Sequence, residues 1–586
     1  MSPAADGKIG LALSGGGFRA AFFHVGVLAR LAELGMLPRV EVISTVSGGS
    51  IVGAAYYLVL KNRLEDEDKG QLVDGEYVEL VHQVEAKLLA AVRKNLRGRL
   101  FANPVKTVFM AWPSYSRSDR IGDLYDRHLY KRIWKEGPNE RRPRKWNGAG
   151  PETQIAMHEL DIHPKVPVKG EPPKFWINAT SLNSGHNWRF GTRRMGESEP
   201  ETDHKREVVE DVDKNLRFER GFYDQGEGTP WVGPRQERFP LALAVAASAC
   251  VPILFHPLSV SRVYDGYRVE LVDGGVQDNQ GIKGLLDEDC KNLIVSDASG
   301  QMDDIKKPAT LVPSVARRTM SISGDRIRDE QLTQARADGK RMALLHLRKG
   351  LKAEVVEPGG SAPALVTGRH GSLSSRFGIH EKVQNALSEI RTDLDYFGDS
   401  EAFSLMLDGY LMSDYEFARG ELSFLRGNEA PSKNFEAWDF GQRGLPARIR
   451  RKPRGIYRRQ LDAGSHRFLR TIALFWPWPV SSFIALLLAL LMVVAVAGWG
   501  GAIGDAISDI WQDHWSATAV ISAIGAVLLL LIAYLATAIQ WWPIRYGVAI
   551  VWGVLLIVPA IILSVVRWVA LPSRLLVGLL GKVPGP

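Results

Sequence analysis

The chain has 586 residues, 45% hydrophobic and 24% charged, with 73 Lys and Arg against 65 Asp and Glu. That length fits roughly two to four domains, and the presence of only two cysteines, Cys250 and Cys290, excludes a disulfide-stapled secreted scaffold. The mean hydropathy of −0.09 is that of an ordinary soluble protein. It averages over two unlike parts, because residues 471–504, 515–544 and 546–566 carry no charge at all.

The opening, MSPAADGKIGLALSGGG, lacks a basic region followed by an apolar core, so no secretory signal is expected. Short apolar strands are predicted at 9–14, 41–45, 175–179, 269–273 and 292–296, alternating with helical patterns, which reads as a mostly parallel sheet covered on both faces. The first strand runs into Gly15, Gly16 and Gly17 and then a helix carrying Arg19 and His24. Consecutive glycines let successive N–H groups aim at one point, and a helix start adds positive potential, so the segment suits an oxyanion. Phosphate loops share this outline, but no Lys-Ser/Thr pair comes after it, and the dinucleotide fingerprint is met only in its version ending in Ala20. His24 reads as a structural histidine.

The second strand leads into Thr45-Val46-Ser47-Gly48-Gly49, a nucleophile-elbow pattern with Thr45 in place of the first glycine. Ser44 falls within the strand and Ser50 at the helix start, so Ser47 is the hydroxyl at the turn. Polar stretches at 62–150 and 185–237 read as insertions, the first helical in its first half. After Ala247-Ser248-Ala249-Cys250-Val251-Pro252 comes Val269-Glu270-Leu271-Val272-Asp273-Gly274-Gly275, which offers a carboxylate at a strand end. A serine hydroxyl needs such a base to take its proton. Asp265 competes, but its Asp-Gly pair signals a hairpin turn; Asp278 could equally cap the next element. Residues 372–425 regain helical periodicity and are expected to pack on the core as paired helices. Nothing has the spacing of a metal site.

Between Arg443 and Arg470 stand ten Lys or Arg and one acid, Asp462. Placed before the first charge-free run, this block is expected to face anionic lipid rather than nucleic acid, for which no reading module is present. Transmembrane helices are predicted at about 480–499, 517–537 and 548–566, each near the ~20 residues a bilayer requires. Asp505, Asp509 and Asp513 in the first loop place it outside, with the basic block and Arg545 inside. Arg567, Arg574 and Lys582 would then lie outside if the third helix crosses, so residues 571–580 as an interfacial helix is the alternative.

Taken in order, the segments Gly15 to Ala20 (GGGFRA), Thr45 to Gly49 (TVSGG) and Asp273 to Gly275 resemble the patatin-like phospholipase family. Ala247 through Pro252 is similar to that family's Ala-Ser-x-Ala-x-Pro segment, with Cys250 at its second Ala. The resemblance covers about 8–300. It implies a patatin-like three-layer α/β/α fold and a lipid acyl hydrolase without a cofactor, working through a Ser-Asp dyad. Ser47 would be nucleophile and Asp273 base, with Gly15, Gly16 and Gly17 holding the oxyanion and Arg19 as a further donor. Thr45, Gly48 and Gly49 would form the elbow, and Gly274 and Gly275 would come after the base. A Ser-His-Asp triad is the rival plan; His346, His370 and His380 stand after the acid, but none sits in an evident strand-end turn.

The resulting expectation is a hydrolase domain at 1–430, a polybasic juxtamembrane linker at 431–470 and a C-terminal α-helical transmembrane domain at 471–586. The protein would be a multi-pass integral membrane enzyme, its catalytic domain cytoplasmic, cleaving membrane phospholipid as a phospholipase A or lysophospholipase. The rivals are a non-catalytic membrane scaffold of hydrolase-like fold and a tethered esterase or thioesterase.

Overall fold

The structure, a computed structural model, describes residues 7–101, 116–134, 154–166, 171–197, 215–226, 229–252, 254–299, 305, 307–308, 310, 312–351, 354–355, 364–365, 377–426, 432–442 and 444–465. The parallel part of its central sheet comprises β1 (Ile9–Leu13), β2 (Val42–Val46), β3 (Lys174–Ser181), β9 (Asn292–Asp297) and β10 (Arg341–His346), in the order β10-β9-β1-β2-β3. β1 and β2 are buried along their whole length, as a strand covered by helices on both faces must be. Beyond β3 the pairing turns antiparallel, through β4 (Asn187–Phe190), β5 (Arg194–Glu197) and β6 (Gly221–Phe222). A hairpin of β7 (Leu258–Ser261) and β8 (Arg268–Asp273) also joins β3 antiparallel. The sheet is therefore mixed, which corrects the expectation of a mostly parallel one. Residues 185–237, read as a surface insertion, supply three of its strands.

The helices that build the site begin at strand ends: α1 (Gly17–Glu33) after β1 and α2 (Gly48–Leu64) after β2. α3 (Glu76–Val92) and α4 (Arg117–His128) come next; Ser116 closes a capping box on α4 with Asp119. α5 (Leu241–Ser248) packs on α4: a Cβ at Gly122 would lie 2.7 Å from Leu243 Cδ2. After β8 come the short α6 (Gly275–Asp278) and α7 (Ile282–Leu286), then α8 (Val312–Ala337), α9 (Glu381–Ser388) and α10 (Asp399–Arg419). α10 lies tightly on α1; a Cβ at Gly26 would meet Met406 O at 1.7 Å, and one at Gly409 would meet Phe23 O at 2.2 Å.

Residues 432–442 and 444–465, expected as part of a linker, fold onto this body. Trp438, Phe440, Ile449, Tyr457 and Leu461 are buried, and Arg391 donates to Gly464 O at 2.9 Å. The block's cations Arg448, Arg450, Arg451, Lys452, Arg454, Arg458 and Arg459 stay at the surface.

No helix among the described residues is long and apolar enough to cross a membrane. The 26-residue α8 has the length but carries Arg318, Asp325, Arg326, Arg328, Asp329 and Glu330. The apolar α1 and α2 have 17 residues each and are spent on the core. The expectation of a transmembrane domain, and with it of a multi-pass integral membrane protein, is corrected accordingly. The three predicted spans lie outside the described residues.

Candidate active site

Three chain crossings meet at the carboxyl ends of β1, β2 and β8. At the end of β2 the backbone of Ser47 takes φ 49°, ψ −114°, a conformation a non-glycine residue adopts at a cost of about 1–3 kcal/mol. Its neighbours must be glycine: a Cβ at Gly48 would sit 2.1 Å from Gly17 O, and one at Gly49 would sit 2.1 Å from Leu13 O. Thr45 is accommodated because Gly53, on the facing turn of α2, leaves room for its methyl group; a Cβ there would be 2.6 Å from Thr45 Cγ2.

A directed run of hydroxyls holds the turn. Thr45 Oγ1 donates to Trp176 O at 3.0 Å, and Ser50 Oγ donates to Thr45 Oγ1 at 3.0 Å. The 2.9 Å contact between Ser50 Oγ and Ser248 Oγ must then carry Ser248's proton, which leaves Ser248 Oγ to accept the Ser47 N–H at 2.8 Å. Thr45, Ser50 and Ser248 are all fully buried, so each proton has a defined destination.

The carboxylate arrives across β3. Asp273, last residue of β8, lies opposite Ala179, and Asn178 lies opposite Val46 of β2. Gly274 passes so close that a Cβ would be 2.3 Å from Asn178 O. The residues after α5 clamp this turn: Asp273 N–H donates to Cys250 O at 3.0 Å and Gly274 N–H to Ser248 O at 3.3 Å. Ser248 thus ties the Ser47 turn by its side chain and the Asp273 turn by its carbonyl. Burial pushes the Asp273 carboxyl up to about 7, against the pull of the Gly275 N–H, which donates to Oδ1 at 2.7 Å, and of the Ser47 hydroxyl. Ser47 and Asp273 are 5% and 6% exposed, a site nearly closed to water.

The glycine loop divides its amides. Gly15 N–H donates to Asn279 O at 2.9 Å, so it is not free for an oxyanion, contrary to expectation. Gly16 and Gly17, at φ 132° and 58°, take conformations that glycine alone adopts readily. Among the described residues the amides of Gly16, Gly17 and Gly48 have no hydrogen-bond acceptor. Arg19 is likewise no oxyanion donor: its guanidinium bonds the carbonyls of Ala298, Ser388 and Ile390 and braces the loop from behind.

Asn279 escaped the sequence reading. A Cβ at Gly15 would lie 2.3 Å from its Oδ1 and 3.3 Å from Ser47 Cβ; one at Gly275 would lie 2.5 Å from the same Oδ1 and 3.0 Å from Asp273 Oδ1. Its side-chain amide is wedged between the glycine loop and the turn after Asp273. Ser248 stands in a recognisable motif, but no local pattern in the sequence indicates its task.

The competing groups have other occupations. Asp265 is exposed in the β7–β8 turn, and Asp278 caps α7, accepting from Gly281 and Lys283 N–H at 2.9 and 2.8 Å. His24 is buried, with Nε2 donating to Ser14 O at 3.0 Å and Nδ1 accepting from Ser296 Oγ at 2.7 Å; burial pushes it down to about 4, so it is neutral. His346 does end a strand, β10, with Nε2 3.8 Å from Asp297 Oδ2. The strand of His346 is three places from β2, about 14 Å at the usual spacing, too far for the imidazole to serve Ser47. Burial pushes the Cys250 thiol up to about 12, and its Sγ donates to His256 O at 2.7 Å.

A search of curated proteins returns no match. Solved structures with a similar course include human GIVD cytosolic phospholipase A2 bound to methyl γ-linolenyl fluorophosphonate, with 11% identity, TM-score 0.38 and coverage of 72% of this chain and 59% of that one. The same enzyme with terbium chloride added gives 11% identity, a TM-score of 0.36 and coverages of 72% and 60%. VipD from Legionella pneumophila gives 15%, 0.22 and 47% of each chain. The matched region spans about 60% of the phospholipase A2 chains. The family model for patatin-like phospholipase matches residues 11–286, the stretch that holds the glycine loop, Ser47 and Asp273. Residues 11–286 are therefore a patatin-like phospholipase domain.

Proposed function

We propose that the domain hydrolyses carboxylic esters of lipids through a Ser47–Asp273 dyad, in the manner of a phospholipase A or lysophospholipase. The observation that carries this reading is the strained Ser47 turn set beside a buried carboxyl pushed up to about 7 and hydrogen-bonded by the Ser47 hydroxyl. A base of that strength is half ionised at neutral pH and can both take and return a proton.

Ser47 Oγ attacks the ester carbonyl carbon while its proton passes to Asp273. The carbonyl oxygen becomes an oxyanion facing the amides of Gly16, Gly17 and Gly48, donors typically worth about 3 kcal/mol each in the transition state. As the C–O bond to the alcohol breaks, Asp273 gives the proton to the leaving oxygen. It then takes a proton from water, which attacks the acyl-serine, and returns it to Ser47 Oγ as the fatty acid leaves. The strain at Ser47 supports an enzyme over a non-catalytic scaffold, which would have no use for it. The exposed cations between Arg448 and Arg459 suit anionic lipid.

The test is product analysis by mass spectrometry after incubating phosphatidylcholine and lysophosphatidylcholine with wild type and Ser47→Ala. Free fatty acid from wild type alone is expected. Equal release by the variant rejects the assignment.

A further inference from the structure

The 26 residues of α8 span roughly 39 Å, whereas the six residues of β10, to which α8 leads, span roughly 20 Å. Two points in the second half of α8 fix its position in this β9–α8–β10 crossover. Ala335 packs with Ile282, Leu285 and Met342 at the far end of the sheet. Arg328 lies within electrostatic reach of Asp297 and His346, the last residues of β9 and β10. The part before Arg328 therefore rises, by something on the order of 10–20 Å, past the sheet edge where Ser47 and Asp273 lie.

This overhang is apolar where it faces outward. Val312, Val315, Met320 and Ile322 are 81%, 45%, 42% and 50% exposed, and Ala316 and Thr319 are exposed between them. Positions 312, 315, 316, 319 and 320 obey the i, i+3, i+4, i+7, i+8 spacing of one helix face, here turned to solvent instead of the core. From 312 to 324 the sequence has no acid and holds Arg317 and Arg318. α8 packs against α6, which starts two residues after Asp273 and exposes Val276. Val251 and Leu254, exposed beside the Cys250 clamp, extend the apolar rim around the same mouth. Single exposed apolar residues need no explanation, but a grouped set beside a site does.

We propose that the overhanging half of α8, from Val312 to Ser323, is an interfacial docking face that seats the site mouth on the surface of a lipid aggregate. This rests on the lipid-hydrolase reading. An acid-free amphipathic helix enters the headgroup boundary of an anionic surface apolar side first. Seated there, it would bring the rim of Val251, Leu254 and Val276 against the acyl region, so that an ester reaches Ser47 with little exposure to water.

The test uses the full chain with Met320→Cys carrying an environment-sensitive fluorophore; the native Cys250 and Cys290 are buried. Vesicles of phosphatidylcholine containing one-fifth phosphatidylglycerol, with and without doxyl-labelled lipid, should shift the emission to the blue and quench it. The same label at the exposed Thr333, on the anchored half, should respond to neither. In parallel, Val312→Glu/Met320→Glu should lower hydrolysis of vesicle phospholipid at least tenfold while hydrolysis of a soluble short-chain ester changes less than twofold. An unquenched label at 320, or vesicle hydrolysis unchanged in the double variant, overturns the proposal. Protection of the label by self-association, seen as a concentration-dependent change of size, overturns it in favour of a contact between copies. If wild type cleaves no ester at all, the hydrolase reading fails, and the quenching still reports on docking by itself.

Discussion

Replacing Asp273 by Asn separates the carboxyl's chemical task from its energetic cost. Burial raises Asp273 from an ordinary 3.8 to about 7. At about 1.4 kcal/mol per pH unit, that difference amounts to roughly 4 kcal/mol as an upper figure. The sign is set by proton binding. Below about pH 4 the carboxyl is protonated in both folded and unfolded chains and costs nothing. Between about pH 4 and 7 only the unfolded chain ionises it, so folding stability falls as pH rises, and the full penalty is present above about 7. An asparagine at this position carries no charge to desolvate. The variant should therefore match wild type near pH 4 and be the more stable by up to about 4 kcal/mol at pH 8, while losing at least a thousandfold in kcat/KM. Denaturation midpoints of the two proteins, measured side by side from pH 4 to 8, give the difference directly. In wild type, kcat/KM should rise with pH to a plateau above about 7. A stability difference that stays flat across this range would show that the carboxyl is not desolvated, and Asp273 would then lack the strength as a base that the dyad requires.

Other substitutions probe the frame around the dyad. Ser248→Ala leaves the buried Ser47 N–H without its 2.8 Å acceptor, which should cost about 1–3 kcal/mol and lower kcat more than it raises KM; thermal unfolding and steady-state kinetics would show both. Asn279→Ala removes the amide wedged between Gly15 and Gly275 but keeps the backbone bond to Gly15, so a fall of roughly ten- to a hundredfold in kcat is expected with the fold retained, read by kinetics and circular dichroism. Gly48→Ala forces a Cβ to 2.1 Å from Gly17 O and should prevent soluble expression, whereas Gly70→Ala, with nothing within 4 Å, should express as wild type.

The five predicted strands were legible because each is a short apolar run, and those carrying Ser47, the glycine loop and Asp273 end at glycine-rich turns. β4 and β5 were not, since a hydropathy reading assigns Asn187, Arg189 and Glu197 to the surface. In the fold all three are buried: Arg189 pairs with Asp287 at 2.6 Å, and Glu197 accepts from His186 Nδ1 at 3.0 Å and from Ser184. Paired burial inverts the polar pattern that marks a loop. In the basic stretch the cations lie outside, as composition suggests, while Ile449 and Tyr457, too few and widely spaced to stand out in the sequence, hold it to the body. At the site, residue identity and turn chemistry pointed to Ser47 and Asp273. The bracing by Ser248 and Asn279, and the diversion of Gly15 and Arg19 to other acceptors, depend on approaches between segments far apart in sequence. No local pattern encodes them.

Reaction with a fluorophosphonate lipid analogue, followed by peptide mapping, tests the dyad most directly. The phosphorus should be found on Ser47 alone, with labelling abolished by Ser47→Ala and slowed at least a hundredfold by Asp273→Asn. Labelling of wild type at another serine, or undiminished labelling in the Ser47 variant, would contradict Ser47 as the nucleophile and Asp273 as its base.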